Sequence, residues 1–259
     1  MTGFRKKTLE IVLVGLSLFA HFAFAQKIDS TKTINHVGGG VTATNNGISL
    51  LPTFSLGKPA VIFDMSVGNK KLSFEPQLRF SMKGKPWVFL FWWRYKLLEN
   101  EKFFIRIGAH PAFAFKTVPI TINGDTSQTM IAHRYLAGEF SPNYYIKKNI
   151  SIGIYYLHSH GFDEGATRTT HFITVNSNFS NIKLSANYYM KFFPQLYYLR
   201  IDEKEGYYGT ATLTFARRNF PLSLQSILNQ TIETNIPAKR DFVWNASLIY
   251  TFNNEFVRK

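Results

Sequence analysis

Hydrophobic and polar residues alternate along most of this chain with a period of two. Phe74, Leu78 and Phe80 share one parity, whereas Glu75 and Arg79 share the other. Because successive side chains of a β-strand point to opposite faces, each such segment predicts a strand with one apolar and one polar face. No segment shows the 3.6-residue period of a helix, so the pattern predicts an all-β chain.

The same alternation recurs up to residue 252, interrupted by short turn-like segments. The predicted strands are 48–56, 60–67, 72–82, 87–97, 103–116, 130–146, 150–160, 168–179, 182–201, 206–216, 219–228 and 241–252. The count is twelve, with ten or fourteen as alternatives because the segment 182–201 is long and contains Pro194. Residues 26–47 are rich in Gly and Asn and predict a flexible leader, with room for one short strand near 37–43.

The position of the charged side chains indicates which face of the strands would meet a membrane. Arg79, Arg94 and Arg106 lie on the polar parity, and an arginine that faces lipid near the bilayer midplane costs about 2–4 kcal/mol. The apolar parity must therefore face the lipid, where an open sheet edge would leave backbone groups unpaired. We predict a closed antiparallel transmembrane β-barrel. A water-soluble barrel with its aromatic face inside is the alternative, but twelve strands would leave it a wide interior to fill.

The lengths of the connections agree with this barrel. If both termini lie at the periplasmic end, every second connection is periplasmic, and these connections should be the short ones. The short connections are 68–71, 98–102, 147–149, 180–181 and 217–218. The two longest connections, 117–129 and 229–240, fall at the extracellular end.

The N-terminus is predicted to be a secretory signal peptide. A basic stretch, residues 5–7, precedes a mostly apolar stretch, 11–25, that is too short to span a membrane comfortably. Ala23 and Ala25 form an A-x-A site, which predicts cleavage after Ala25 and before Gln26. The predicted organisation is a signal peptide (1–25), a periplasmic leader (26–47), a barrel (48–252) and a short tail (253–259).

Composition narrows the chemistry that the chain can perform. The 259 residues include no Cys, which excludes disulfides, thiol catalysis and thiolate metal sites. Removal of residues 1–25 takes away three basic residues and one acidic residue, which lowers the formal charge from +14 to +12. A basic soluble protein would suggest nucleic acid, but for an exported chain we expect anionic headgroups or anionic solutes and no nucleic acid.

Both ends of the chain and its alternating hairpins carry a resemblance to a known class. The signal peptide ends in Ala-Phe-Ala, and the closing segment 242–252 reads Phe-Val-Trp-Asn-Ala-Ser-Leu-Ile-Tyr-Thr-Phe. These features resemble the outer-membrane β-barrel proteins of Gram-negative bacteria, whose C-terminal assembly signal also alternates and ends in an aromatic residue. The resemblance covers most of residues 48–252 and implies location in the outer membrane, contact with its lipids and insertion by the barrel-assembly machinery. The tail after Phe252 departs from that signal.

Charged side chains on the polar parity are predicted to line the barrel interior. They are Asp64, Glu75, Arg79, Arg94, Lys96, Arg106, His110, Lys116 and Glu139. One interpretation is a pore whose excess of positive charge favours anions. The other is that the acidic members pair with the arginines and fill a narrow barrel, since twelve strands lie between a filled and an open interior.

Three histidines lie close together in the segment 155–172. His158 and His160 share the apolar parity of one strand and His171 that of the next, so all three should face outward near the extracellular rim. The run His-Ser-His-Gly resembles the active-site strand of outer-membrane phospholipase A, which implies a histidine acting as base to Ser159. Ser159 has the opposite parity, however, and would reach the outside only through a bulge. A metal site and a polar rim that meets lipid phosphates are the other interpretations.

The sequence leaves three functions open. Because no catalytic set is complete, the first is a non-enzymatic barrel that acts as a small anion-leaning channel or a structural membrane element. The second is a lipid hydrolase at the extracellular rim, in which Asp163 or Glu164 would orient the histidine. The third is a surface-binding barrel whose connections 117–129 and 229–240 hold a partner. We expect no cofactor and no metal.

Overall fold

The regular structure of the chain consists of β-strands. The computed structural model describes residues 34–49, 55–122, 125–237 and 240–257. The strands are β1 (Ile34–Thr44), β2 (Ala60–Asn69), β3 (Leu72–Ser81), β4 (Pro86–Glu99), β5 (Phe103–Ile122), β6 (Asp125–Lys147), β7 (Ile150–Gly161), β8 (Thr169–Lys183), β9 (Tyr188–Ile201), β10 (Lys204–Arg217), β11 (Leu222–Thr234), β12 (Phe242–Trp244) and β13 (Ser247–Val257). Among these residues no helix is long and apolar enough to cross a membrane.

The strands form a closed antiparallel ring. Each strand from β1 to β11 pairs with the next one along the chain. Strands β12 and β13 both pair with β11 and are successive parts of one interrupted strand. Pairing of β13 with β1, from Ile34 opposite Val257 to Thr44 opposite Ser247, closes the ring. The prediction of a closed barrel with twelve strand positions is therefore confirmed.

The two ends of the barrel differ in their connections. At the short-turn end, where Ile34 and Val257 also lie, the connections are 70–71, 100–102, 148–149, 184–187 and 218–221. At the long-loop end they are 45–59, 82–85, 123–124, 162–168, 202–203 and 235–241. The predicted loop 117–129 is mostly strand, because β5 and β6 pair residue by residue from Thr117 opposite Met130 to Ile122 opposite Asp125.

The predicted first strand, 48–56, is wrong. Its described residues, 48–49 and 55–56, are not in a strand, and β1 instead lies at 34–44, inside the predicted leader. The predicted tail 253–259 is also partly strand, since β13 continues to Val257 along β1. The doubtful segment 182–201 contains a turn followed by β9, so the alternation of ends is preserved. The predicted signal peptide, 1–25, lies outside the described residues.

Alternation along each strand separates an outer from an inner face. On β7, Ile152 and Ile154 are exposed, whereas Ser151 and Leu157 are buried. The exposed set around the outside is dominated by large apolar side chains, among them Phe63, Trp93, Leu136, Phe140, Val175, Leu196, Leu224 and Leu248. Such a surface is stable only against another apolar phase, as predicted for a barrel that faces lipid.

Four prolines interrupt the ladder of backbone hydrogen bonds inside strands. They are Pro76 in β3, Pro111 in β5, Pro142 in β6 and Pro194 in β9, and one flanking ladder skips two residue pairs at each of them. A proline has no backbone N–H to donate, so the pairing lapses on that side. At each proline the strand remains paired with its other neighbouring strand, so the ring stays closed.

Strand β1 depends on its glycines at the closing seam. A Cβ atom on Gly39 would overlap the carbonyl oxygen of Asp64 and lie 3.2 Å from the ring of Phe252, whereas one on Gly138 would meet nothing nearer than 3.8 Å.

We expect Gly39→Ala to lower the free energy of unfolding by about 1–3 kcal/mol, because backbone must shift to admit the methyl group. Gly138→Ala should change it by less than about 0.5 kcal/mol. Urea unfolding of the two variants in detergent checks this, and equal midpoints would contradict it.

Candidate functional site

A buried carboxylate organises the charged residues inside the barrel. The side chain of Glu139, on β6, is 0% exposed. Its oxygens accept hydrogen bonds from Arg94 at 2.8 and 3.2 Å and from the Tyr155 hydroxyl at 2.9 Å. The Nε atom of Arg106 lies 3.2 Å from the same carboxylate, and Glu75 contacts Arg94 from the other side. The two arginines are thus neutralised by two carboxylates rather than free to attract anions.

This network exists because a glycine leaves space for it. Gly108 on β5 lies directly opposite Arg94 of β4 and Glu139 of β6. A Cβ atom on Gly108 would lie 3.0 Å from Glu139 Cγ and 3.1 Å from Arg94 Cγ. With no side chain on β5 at this level, the guanidinium of β4 reaches the carboxylate of β6 across one intervening strand.

A hydrophobic cluster crosses the interior next to this network. We call it the transverse cluster; it consists of Trp92, Leu157, Phe172, Tyr197, Leu199, Tyr208 and Ile236. Trp92 lies on β4 and Tyr208 on β10, which are six positions apart in the ring and therefore face each other. Phe172 and Leu199 are 0% exposed. Leu90 packs against both this cluster and a second one formed by Ala60, Trp87 and Val88. The interior is therefore occupied by side chains from wall to wall.

A cavity of about 620 Å³ lies at the long-loop end. Tyr208 and Ile236 belong both to the transverse cluster and to the cavity lining, so the cluster forms its floor. The remaining lining is Asn45, Asn46, Ile48, Ser55, Leu56, Gly57, Lys58, Asn229, Thr231, Pro237, Arg240, Phe242, Val243 and Trp244. The lining combines two cations with several amides and aromatic rings. The buried Oδ1 atom of Asn46 has no hydrogen-bond partner among the described residues.

The cavity lies where the closing seam ends. Strand β1 stops at Thr44, and above it the backbone of Asn45 donates to the Ala246 carbonyl at 3.2 Å. Asn46 donates to the Trp244 carbonyl at 3.1 Å, and the Asn245 amide donates to the Asn46 carbonyl at 3.2 Å. Side-chain amides thus replace the backbone ladder at this point, and the wall between β12 and the connection 45–59 opens into the cavity.

The predicted lumen residues fall into two groups. Those inside the barrel are Asp64, Glu75, Arg79, Arg94, Arg106, His110 and Glu139. The ring of His110 packs 3.9 Å from that of Trp92, and the Arg79 guanidinium lies 5.6 Å from the ring of Trp87. The second group consists of Lys96 and Lys116, which lie nearer the ends of the barrel. Lys96 pairs with Glu99 at 3.0 Å near the short-turn end, and Lys116 is exposed on the β5–β6 hairpin.

The aromatic residues of the interior were not predicted from the sequence. Trp92 and Tyr155 share the parity of the inward charges, so the period of two did contain this signal. Tyr197 points inward and Tyr198 outward. Trp87 shares the parity of the outward-facing Trp93 but is buried, because a bulge between Arg79 and Phe80 shifts the register beside it.

The histidines face outward as predicted from their parity. His158 and His160 are exposed, and the rings of His158 and His171 lie 4.7 Å apart. Ser159 is buried on the inner face, without the bulge that would bring it outside. The histidine–serine pair that the hydrolase hypothesis requires is therefore not formed. No group of three or more His, Asp or Glu side chains in the described part of the chain is arranged to hold a metal ion.

Asp163, one of the two predicted orienting acids, has another partner. Its carboxylate accepts hydrogen bonds from the Arg134 guanidinium at 2.6 Å and from the Arg134 backbone N–H at 2.5 Å. These bonds hold the pKa of Asp163 at about 2, so the carboxylate stays ionised and keeps the connection 162–168 attached to β6. Asp163 therefore anchors a loop to the neighbouring hairpin.

Removal of the buried charge tests how far the interior depends on Glu139. We expect Glu139→Gln to lower the free energy of unfolding by about 3–5 kcal/mol, because two arginines near it lose their shared counter-charge. Glu99→Gln, which removes the exposed pair with Lys96, should cost less than about 1 kcal/mol. Urea midpoints of both variants in the same detergent measure the difference, and a Glu139→Gln midpoint equal to that of Glu99→Gln would show that the network is dispensable.

Comparison with known proteins identifies the fold. No protein-family model and no curated protein matches the chain. Among solved structures, the KdgM porin in complex with disordered oligogalacturonate is 8% identical, covers 84% of this chain and 99% of its own, and superposes with a TM-score of 0.50. LpxR from Salmonella typhimurium is 9% identical, covers 83% and 99%, and gives 0.47. An outer-membrane channel from Pseudomonas putida F1 is 10% identical, covers 88% and 98%, and gives 0.45. The fold of this chain is that of the outer-membrane β-barrel proteins.

Proposed function

We propose that this protein spans the outer membrane as a closed, non-conducting barrel and binds a ligand at its extracellular end. In this proposal the short-turn end is periplasmic and the long-loop end extracellular, as the lengths of the connections favour. The signal peptide is removed after Ala25, and the barrel-assembly machinery inserts the mature chain. The protein is a binding and structural element rather than an enzyme.

The observation that carries this proposal is the transverse cluster. Side chains from opposite walls meet there, with Phe172 and Leu199 completely buried, and this supports a lumen that is closed at that level. The sequence left an anion-leaning channel open beside a filled barrel, because the predicted lumen has more cations than anions. The pairing of Arg94 and Arg106 with Glu139 removes much of the reason for that preference.

The cavity above the cluster supports a binding role. Lys58 and Arg240 supply cations at its rim, and Asn46 supplies a buried acceptor without a partner. Trp244, which is 51% exposed, offers aromatic surface. Cations recognise anionic groups, amides recognise hydroxyls and aromatic rings pack against apolar ring faces. The favoured ligand class is therefore an acidic sugar or a similar polar molecule with a carboxylate.

Conductance in planar bilayers tests the closed lumen. We expect the refolded protein to give no conductance steps, and Trp92→Ala combined with Tyr197→Ala to give them, because that change removes two of the four aromatic rings from the transverse cluster. The control combines Trp93→Ala with Leu196→Ala, neighbouring positions on the outer face that are 53% and 64% exposed, and should stay silent. Regular anion-selective steps from the unmodified protein would refute the closed lumen and restore the channel hypothesis.

Binding of charged and uncharged sugars tests the cavity. We expect a glucuronate oligosaccharide to bind more tightly than a glucose oligosaccharide of the same length. Lys58→Gln combined with Arg240→Gln should weaken the acidic ligand by about tenfold or more, the effect of one lost charge-assisted hydrogen bond. Lys83→Gln combined with Lys85→Gln removes two cations from another connection at the same end and should leave binding unchanged. Calorimetric titration measures these affinities, and equal weakening by both pairs would count against the cavity.

A further inference from the structure

Three rows of side chains follow one another up the outer wall of β7, β8 and β9. In each row the three residues lie directly opposite one another in the strand register. The rows, from the middle of the wall towards the long-loop end, are Ile154, Val175 and Leu196, then Tyr156, Ile173 and Tyr198, then His158, His171 and Arg200. The wall therefore changes from apolar to aromatic to basic. We call the last three residues the basic row.

This order matches the depth profile of a bilayer leaflet. Apolar side chains suit the hydrocarbon, and tyrosines are enriched where the hydrocarbon meets the headgroups. The next level outward is that of the lipid phosphates. On the proposed orientation the basic row lies at that level of the extracellular leaflet, one register step beyond Tyr156 and Tyr198.

The nitrogen atoms of the basic row are arranged so that some remain for an outside acceptor. The Tyr156 hydroxyl bonds to His171 Nδ1 at 2.9 Å, which leaves Nε2 of the same ring. Arg200 uses its Nε atom to donate to the Asp202 carbonyl at 3.1 Å, which leaves its two terminal nitrogens. His158 lies beside His171, with ring centres 4.7 Å apart. Imidazole and guanidinium N–H groups on one surface are the donors that phosphate oxygens accept.

The neighbours on either side limit the extent of the site. On β6 the residue opposite His158 is Gly138, which has no side chain and leaves room beside the imidazole. On β10 the residue opposite Arg200 is Glu205, whose carboxylate accepts a 2.5 Å hydrogen bond from the Tyr198 hydroxyl. An anion would therefore lie between His158 and Arg200, away from that carboxylate.

We propose that the basic row binds the phosphate group of an anionic lipid in the extracellular leaflet, with the acyl chains along the apolar rows below. This site is separate from the cavity at the seam, and it rests on the membrane orientation in the proposed function. The alignment of the three residues in one register row across three strands, above an aromatic row, supports a lipid headgroup over a metal ion or a soluble anion.

Native mass spectrometry of the full barrel in detergent micelles tests this site. The probes are phosphatidic acid and diacylglycerol with identical acyl chains, which differ only in the phosphate. We expect His171→Gln combined with Arg200→Gln to weaken binding of phosphatidic acid by about tenfold or more. His160→Gln combined with Arg168→Gln removes the same two residue types near the same hairpin and should change it by less than twofold. Diacylglycerol binding should be equal in all three proteins.

Several outcomes would overturn the proposal. Equal loss in both double variants would show a diffuse charge effect, and equal binding of the two lipids to the unmodified protein would show that the phosphate is not recognised. Displacement of phosphatidic acid by millimolar inorganic phosphate would identify a site for free anions instead. If the first double variant fails to fold, judged by heat-modifiable gel mobility, Arg200→Gln alone should still weaken phosphatidic acid binding at least threefold. None of these results depends on whether the lumen conducts.

Discussion

Closure of the backbone hydrogen-bond ring is the constraint on which the other features depend. In a hydrocarbon environment every strand edge must be paired, so β1 and β13 have to meet along their length. Their contact requires close approach of main chains, which the run Gly38–Gly40 permits. Once the ring is closed, the period of two assigns each side chain to the lipid or to the interior. The interior then collects all the polar side chains that the lipid face cannot tolerate.

The side chains that point into the barrel explain why the interior is filled rather than open. Twelve strand positions enclose a space that large side chains can cross, and here Trp92 and Tyr208 approach from opposite walls. The charges that share the inward parity are then partly buried, so they must be paired. Glu139 accepts hydrogen bonds from Arg94 and Tyr155 and forms an ion pair with Arg106, and it can do so only because Gly108 leaves the space between the strands empty.

The sequence predicted the strands best where alternation is strong and worst where it is weak. Strands β2 to β11 have large apolar side chains on one parity, and each was located, with end positions that shifted by a few residues. Strand β1 reads Ile-Asn-His-Val-Gly-Gly-Gly-Val-Thr-Ala-Thr, and its small residues conceal the pattern. Residues 48–56 are more apolar and so resembled a strand, but the described ones, 48–49 and 55–56, are not in a strand, and Ile48, Ser55 and Leu56 line the cavity. Parity correctly placed the histidines outside and Glu139 inside. It could not identify the contact between Arg94 and Glu139 or the row that joins His171 to Arg200, because these depend on register between strands that only the folded ring fixes.

The same closure constraint indicates where the barrel can depart from regularity. Above Thr44 the seam loses its ladder, and Asn45, Asn46 and Asn245 bond to the exposed backbone groups instead. Such a break would be costly within hydrocarbon, so it belongs at a level where water or headgroups are present. The basic row lies towards the same end of the barrel on the other side of the ring, close to the connection 162–168. Irregular backbone and outward charge therefore occur together at the long-loop end. The regular apolar wall below them has paired backbone groups and apolar side chains, so it offers few polar groups that could recognise a ligand. This is the physical reason to expect ligand and lipid binding at the long-loop end.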